Sequence, residues 1–379
     1  QAWTCVTSAR EILVSPEVLK HPLRGPWGNQ QAIASSRSLD GKASYGWVCY
    51  CYHFMGISVW RGSANTCQQG LRPLSTGSPV VLYWCISWRR HSRQHCGVTM
   101  KTYLDCYVCL MRQALTATRE AGLDDDGQRD VVNHVLSALL EIEPGMTPPI
   151  ISDRIHAIIR ERTGRDDPYR EMKERSTQEV LALYPRLAEM IRTADDPFAT
   201  AVRLAIAGNI IDVGPSDKHD VWGTVQDVLS REPAVDDTAA LREAIGSAEW
   251  VLYLGDNAGE TVFDRLLIEQ IAPVPVVYAV KGGAVVNDAT EEDALAAGLG
   301  EVARVVSTGS RAPGTVLDSC SDAFRAGYDQ ASVIIAKGMG NYEALSTEGE
   351  RLFFLFLVKC EAVAADVGVP VKSVMIKRG

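Results

Sequence analysis

No stretch of this 379-residue chain approaches the ~18 consecutive apolar residues that a membrane-spanning helix needs, so a helical membrane protein is excluded. The glycine turn at 255–259 carries no G-x-G-x-x-G, which leaves little support for dinucleotide binding of the dehydrogenase type. One C-x-x-C, Cys106-Tyr-Val-Cys109, stands without a second, so a structural zinc module is weakly supported; a redox pair or two small buried hydrophobes remain open readings. After Met100 only Cys106, Cys109, Cys320 and Cys360 occur, too few for a disulfide scaffold, and a reducing cytoplasm is the default location.

Acidic residues are scarce at first. Residues 1–99 hold three Asp+Glu against ten Lys+Arg, a balance of +7, whereas 100–379 hold 44 against 28, a balance of −16; the sum is −9. The acidic part argues against nucleic acid as the main partner. Residues 1–99 also hold six of the eight tryptophans and six of the ten cysteines. They show no sustained helical period, strand alternation or repeat, only isolated apolar patches such as Val80 to Trp84. Met100-Lys-Thr-Tyr-Leu reads as a natural start, and 1–99 are expected to be a non-native or disordered extension. The alternative is a Cys-rich binding segment built on Cys49, Cys51, Cys67, Cys85, Cys96, His91 and His95.

From Leu104 to about Ile245 the pattern is helical. Val131, Val135, Leu136, Leu139 and Leu140 form one apolar stripe and Ile151, Ile155, Ile158 and Ile159 another, punctuated by Pro144, Pro148, Pro168, Pro197 and Pro233. After Trp250, short apolar runs at 250–255, 275–280, 302–306, 332–336 and 373–376, with a further apolar element at 352–358, alternate with helical stretches. That alternation predicts a largely parallel sheet. The expected fold is α/β, with a helical segment at 100–248 preceding the sheet of 249–379.

The sheet's first run, Trp250 to Leu254, passes straight into Gly255-Asp256-Asn257-Ala-Gly259-Glu260. Ligands of open α/β sheets bind at the carboxyl ends of strands, and the amino end of the following helix favours an anion. Asp256 and Asn257 are hard oxygen donors suited to Mg²⁺ or Mn²⁺. The next run leads to Asn287-Asp288, so Asp288 is the candidate third donor; a lone pair of this kind more often caps a helix. The run Val333 to Ala336 delivers Lys337 before a glycine turn containing Asn341, a placement suited to neutralising and hydrogen-bonding a phosphoryl group, or to a solvated lysine beside an ordinary turn. Asn209 and Asp212 in Gly208-Asn-Ile-Ile-Asp212 read equally as a projection over the crevice or as a helix end. The run Thr308 to Asp318 reads as an anion-binding or substrate-closing loop.

Together, GDNAGE (255–260), NDAT (287–290), KGMGNYE (337–343), GNIID (208–212) and the initial C-x-x-C resemble the damage-control phosphatase family, formerly domain of unknown function 89, and its prokaryotic C-x-x-C subfamily in particular. The resemblance covers about 100–379. It implies a helical part followed by a Rossmann-like, mostly parallel sheet with flanking helices, and divalent-metal-dependent hydrolysis of small phosphate monoesters such as sugar phosphates, phosphopantetheine or damaged phosphometabolites. Mn²⁺, Mg²⁺, Co²⁺ and Ni²⁺ are the implied cofactors. Asp256, Asn257 and Asp288 would hold the metal, Lys337 would contact phosphate, and Asn209, Asp212, Glu260 and Asn341 would line the site. Asp212 or Asp256 would orient the attacking water, with a covalent aspartyl-phosphate route as the open alternative. The rival readings are a carboxyl methyltransferase and a non-catalytic metal-dependent module that binds phosphorylated metabolites.

Overall fold

The computed structural model describes residues 100, 102–143, 145–209 and 221–379, and before them only the backbones of four short strands. Those are β1 (Leu23–Gly25), β2 (Gly28–Gln30), β3 (Trp47–His53) and β4 (Gly56–Gly62), which pair as two antiparallel two-stranded ladders. The remainder of 1–99, where the expected extension falls, and Asp212 lie outside the described residues.

From residue 100 the chain opens with helices α1 (Leu104–Glu120), α2 (Asp125–Leu140), α3 (Pro148–Thr163), α4 (Arg170–Thr193), α5 (Pro197–Gly208), α6 (Val221–Ser230) and α7 (Thr238–Gly246), with the short strand β5 (Val235–Asp236) before α7. Their ends follow local chemistry. Asp124 accepts from Gly127 N–H at 2.9 Å to start α2, and Asp196 accepts from Ala199 N–H at 3.0 Å ahead of Pro197 to start α5. Then β6 (Val251–Leu254), α8 (Thr261–Ile271), β7 (Val276–Val280), α9 (Glu291–Ala296), β8 (Arg304–Ser307), α10 (Asp322–Gln330), β9 (Val333–Lys337), α11 (Gly338–Leu345), β10 (Leu352–Leu357), α12 (Glu361–Val367) and β11 (Val374–Arg378) follow. Among the described residues no helix is long and apolar enough to cross a membrane.

The seven-stranded sheet runs β5-β11-β10-β9-β6-β7-β8. Strands β8, β7, β6, β9 and β10 are mutually parallel, β11 is antiparallel to β10, and β5 is parallel to β11. In the parallel part the chain starts in the middle at β6, winds outward to β8, then returns to the other side of β6 for β9 and β10. The winding direction therefore reverses between β6 and β9, and such a switch point leaves a crevice at the carboxyl ends of those two strands.

Side chains alternate across the sheet. Val251, Tyr253, Tyr278, Val333, Ile335, Phe353 and Leu355 face a core shared with α4 to α8, while Leu252, Leu254, Ala279, Ile334, Ala336, Phe354 and Phe356 face one shared with α10, α11 and α12. A third core joins α1, α2 and α3 around Val135, Ile155 and Ile159. The helical segment thus contributes to two cores: α1 to α3 mainly pack on one another, and α4 to α7 cover the sheet.

His156 of α3 is 3% exposed beside that third core, with Nε2 3.4 Å from Gln113 Oε1. Burial, reinforced by the Arg160 guanidinium, lowers its pKa from 6.5 to about 3. The unfolded chain therefore takes up this proton as pH falls below about 6.5 and the folded chain does not, so His156 costs stability progressively between pH 6.5 and 3. Lowering pH from 7 to 5 should cost about 2 kcal/mol through this group. Urea unfolding of wild type and His156→Gln at both pH values checks this; an equal pH dependence in the two proteins would remove the assignment.

Candidate active site

Strand β6 is buried along its whole length and is followed by Gly255, where a β-carbon would stand 2.5 Å from the Tyr278 hydroxyl. A glycine is needed for that close approach. Asp256 and Asn257 follow, and main-chain bonds join them to the loop leaving β7. Ala289 N–H donates to the Asp256 carbonyl at 2.7 Å, Ala258 N–H to the Asn287 carbonyl at 2.9 Å, and Asn257 and Asp288 form an antiparallel bridge. The two Asn/Asp pairs, 31 positions apart in sequence (288 − 257), are therefore one backbone unit. Strand β9 contributes Lys337 on the other side of the switch point. Gly338 has φ +77°, and a β-carbon there would lie 1.9 Å from Asp256 Oδ2, so only glycine fits beside the carboxylate.

Glu260 is the hub. Its Oε1 accepts from Asn209 Nδ2 and Asn257 Nδ2, each at 2.6 Å, and its Oε2 accepts from Lys337 Nζ at 2.9 Å. Both amides also donate to Asp256 Oδ2, Asn209 at 2.9 Å and Asn257 at 3.2 Å. Lys337 makes a second ion pair with Asp264 Oδ1 at 2.7 Å, and the Tyr253 and Tyr278 hydroxyls donate to Asp264, each at 2.7 Å. Lys337 and Asp264 are wholly buried and Glu260 is 1% exposed, so this ionic cluster is inaccessible to solvent. Lys281, at the end of β7, is also buried; its Nζ lies 3.4 Å from Asp288 Oδ2 and donates to the Gly314 carbonyl at 2.6 Å.

The charges do not balance evenly across the site. Burial, then Glu260 and Asp288, push the Asp256 pKa well above the carboxylate range, against a downward pull from Lys281 and Lys359. Burial raises Asp264 as well, although Lys337 opposes it. Burial pulls Lys337 down, but Asp264 and Glu260 outweigh it and hold its pKa above the usual lysine value, so it is an ammonium. Burial, followed by Asp264, keeps Tyr253 and Tyr278 protonated as donors. Lys337 is thus shared between two buried carboxylates, Glu260 and Asp264, while at the neighbouring pair the Asp288 charge opposes ionisation of Asp256 and Lys281 lies beside Asp288.

A model of the damage-control phosphatase ARMT1-like domain matches residues 102–375. The chain belongs to the damage-control phosphatase family. It is 37% identical over 289 residues to the damage-control phosphatase of Pyrococcus horikoshii, covering 74% of this chain and 98% of that protein. It is also 34% identical over 283 residues to the damage-control phosphatase of Archaeoglobus fulgidus, covering 72% and 97%. A crystal structure of the Pyrococcus horikoshii protein, described as a member of the domain of unknown function 89 family, superposes with a TM-score of 0.67 at 35% identity, covering 74% of this chain and 99% of that one. Membership makes this chain a phosphatase and agrees with the mixed α/β architecture expected from its sequence.

In this family member the fold brings Asn209, Asp256, Asn257, Glu260, Asp288, Lys337 and Asn341 to the switch point. Asn341 is fully buried: its Nδ2 donates to the Lys337 and Gly255 carbonyls at 2.7 and 3.4 Å, and its Oδ1 accepts from Thr315 at 2.8 Å. It ties the tips of β6 and β9 to the loop after β8. Neither Lys337 nor Asn341, both expected to touch substrate, reaches open space in this structure. Lys281 and Asp264 were missed by the sequence reading. Lys281 repeats the strand-then-Lys-Gly pattern of Lys337, and Asp264 interrupts the apolar stripe Val262, Phe263, Leu266, Leu267, which is the signal of a buried carboxylate.

The donor set is a fair match to a hard cation. Among the described residues no group of three His, Cys, Asp or Glu side chains is set at ligand spacing. Asp256 and Asp288 would have to be completed by an amide. Asn209 Oδ1 is buried with no hydrogen-bond partner among the described residues, and Asn257 has its Nδ2 engaged, which leaves its oxygen as the coordinating atom. Two mutually repelling carboxylates and amide oxygens are oxygen-only chemistry of the kind Mg²⁺ and Mn²⁺ accept.

Proposed function

We propose that this phosphatase hydrolyses small phosphate monoesters, among them sugar phosphates and phosphopantetheine-like or damaged phosphometabolites, with a divalent cation held by Asp256, Asn257 and Asp288. One observation supports the reading: Asp256 and Asp288 meet at the switch point, where burial and the Glu260 and Asp288 charges oppose ionisation of Asp256, a cost that a bound dication would relieve. Mn²⁺, Mg²⁺, Co²⁺ or Ni²⁺ bound there would offset phosphoryl charge and lower the pKa of the attacking water. The names of the Pyrococcus and Archaeoglobus relatives support the damage-control role, and a cytoplasmic site of action belongs to the same proposal.

The chain's own residues would divide the work. Glu260 orients both amides by accepting from their nitrogens, so the oxygens of Asn209 and Asn257 are the atoms offered to a ligand. Lys337 acts through Glu260, to whose Oε2 it donates at 2.9 Å. Lys281, its Nζ 3.4 Å from Asp288 Oδ2, is the lysine that would face a phosphoryl oxygen. Asp256 would direct the attacking water or attack phosphorus itself; a trapped aspartyl complex with a phosphate mimic would select the second route.

A phosphometabolite panel with para-nitrophenyl phosphate as reference, assayed with each of the four ions and with chelator, tests the proposal. Turnover restricted to ion-loaded protein is expected. Tight ion and ligand binding without turnover would instead identify a sequestering module, and methyl transfer from an adenosyl donor would overturn the phosphatase chemistry.

A further inference from the structure

A buried lysine of the helical segment stands behind the loop that carries Asp288. Lys173 of α4 is 3% exposed, and its Nζ lies 2.8 Å from Asp167 Oδ2 and 2.8 Å from Asp293 Oδ2. Burial pulls its pKa down, but Asp293 and Asp167 outweigh it and hold it above the usual lysine value, so Lys173 is an ammonium. Asp293 closes the capping box of α9: the oxygen that meets Lys173 also accepts from Thr290 N–H at 2.9 Å and from the Thr290 hydroxyl at 2.7 Å. Thr290 follows Asp288 by two residues, and Ala289 between them donates to the Asp256 carbonyl. Lys173 and Ser176 line one cavity with Asn257, Ala258, Gly259 and Asn287, and a β-carbon on Gly259 would overlap the Ser176 hydroxyl. Near the other end of the loop, Arg160 Nη1 donates to the Ala284 carbonyl at 3.3 Å, and Arg311, paired with Asp166 at 2.6 Å, lies against Gly283.

We propose that Lys173 is a positioning residue of this phosphatase: through Asp293 and Thr290 it fixes the Asp288 carboxylate relative to that of Asp256, and so sets the affinity for the divalent ion. The inference rests on the cation site proposed above. No helix or strand spans 281–290, so the loop owes its shape to what surrounds it. Val286, two residues before Asp288, has φ +46°, a left-handed conformation that a β-branched residue keeps only where its neighbours hold it. Lys173 supplies that hold at the Thr290 end. Two carboxylates share its single nitrogen; without the ammonium they repel each other, Asp293 moves away from Asp167, and Thr290 moves with it. Asp288 is then displaced through the two intervening residues. Arg170 and Glu292 join the same two helices one step away, at 3.3 Å, but their side chains are 56% and 75% exposed, so that contact holds little.

Mn²⁺ titration of the full-length chain, followed by the paramagnetic resonance of the free ion, tests this, with turnover of para-nitrophenyl phosphate measured alongside. Lys173→Met and Asp293→Ala should each raise the Mn²⁺ Kd by about tenfold or more. Turnover lost at low Mn²⁺ should return as the ion is raised, which is not expected of Asp256→Asn. Asp293→Ala leaves Lys173 paired with Asp167, so it carries the test if Lys173→Met does not fold. Asp293→Asn keeps an oxygen for Thr290 and Lys173, and Arg170→Ala removes only the exposed contact; both should bind Mn²⁺ within about threefold of wild type. Wild-type affinity in folded Lys173→Met or Asp293→Ala would overturn the positioning role and leave the cation site standing. Losses in Asp293→Asn or Arg170→Ala as large as in Asp293→Ala would overturn it as well. Mn²⁺ uptake by wild type that Asp256→Asn does not change would overturn the cation site and this inference together.

Discussion

Asp256→Asn is expected to lower kcat/KM by about 1,000-fold or more, with no recovery when the divalent ion is raised well beyond saturation of the wild type. The side chain keeps its size, and Asn209 and Asn257 retain an oxygen to which they donate at the former Oδ2 position. What disappears is a negative donor. The same variant should melt no lower than wild type when both are stripped with chelator. Asp256 is buried with its pKa driven up by burial and by Glu260 and Asp288, so in the metal-free protein at neutral pH its ionised form is a cost that a neutral amide does not carry. Activity and metal-free stability thus move in different directions, a combination that a merely misfolded variant would not show. Retained turnover, or a large fall in the chelator-treated melting temperature, would contradict the assignment.

Lys337→Met should do the opposite to stability. It removes the cation from between Glu260 and Asp264, leaving two buried carboxylates without their partner, and breaking such a pair typically costs about 3–5 kcal/mol. Activity should fall by about 100-fold or more as well, because Glu260 then no longer holds Asn209 and Asn257 in place. Adding Glu260→Gln in the same chain should return part of the lost stability and none of the activity. Denaturant midpoints and kcat/KM for the two variants decide it. A single variant destabilised by less than about 1 kcal/mol would mean that the charges relax into water and that Lys337 is not the keystone described here.

Much of this site was legible in the sequence because its parts lie where chain pattern and topology coincide. A strand-like run ending in Gly-Asp-Asn, a second ending in Lys-Gly-Gly before Asn-Asp, and a third ending in Lys-Gly all place polar groups at carboxyl ends of parallel strands. The expected runs at 250–255, 275–280, 332–336 and 373–376 coincide with β6, β7, β9 and β11 to within a residue or two at either end. The direction in which each side chain points was not legible. Lys337 reads from sequence as a phosphate ligand, yet its ammonium lies between two carboxylates, Asp264 of α8 and Glu260 of the turn just before it. Nor could periodicity show that α4 to α7 cover the sheet while α1 to α3 pair among themselves, since both groups present the same amphipathic pattern. Partner choice between helices is set by side-chain fit in three dimensions.

The stitching of the β6 and β7 tips by main-chain bonds, from Ala289 N–H to the Asp256 carbonyl and from Ala258 N–H to the Asn287 carbonyl, would set how the proposed cradle responds to cation exchange. Asp256 and Asp288 are clasped by the polypeptide itself, so swapping one ion for another, or removing it, leaves the two loops no hinge on which to part. Under the proposed metal binding, selectivity among cations would then come from a nearly fixed aperture, where ionic radius and preferred coordination number count for more than any capacity of the loops to remodel around the guest.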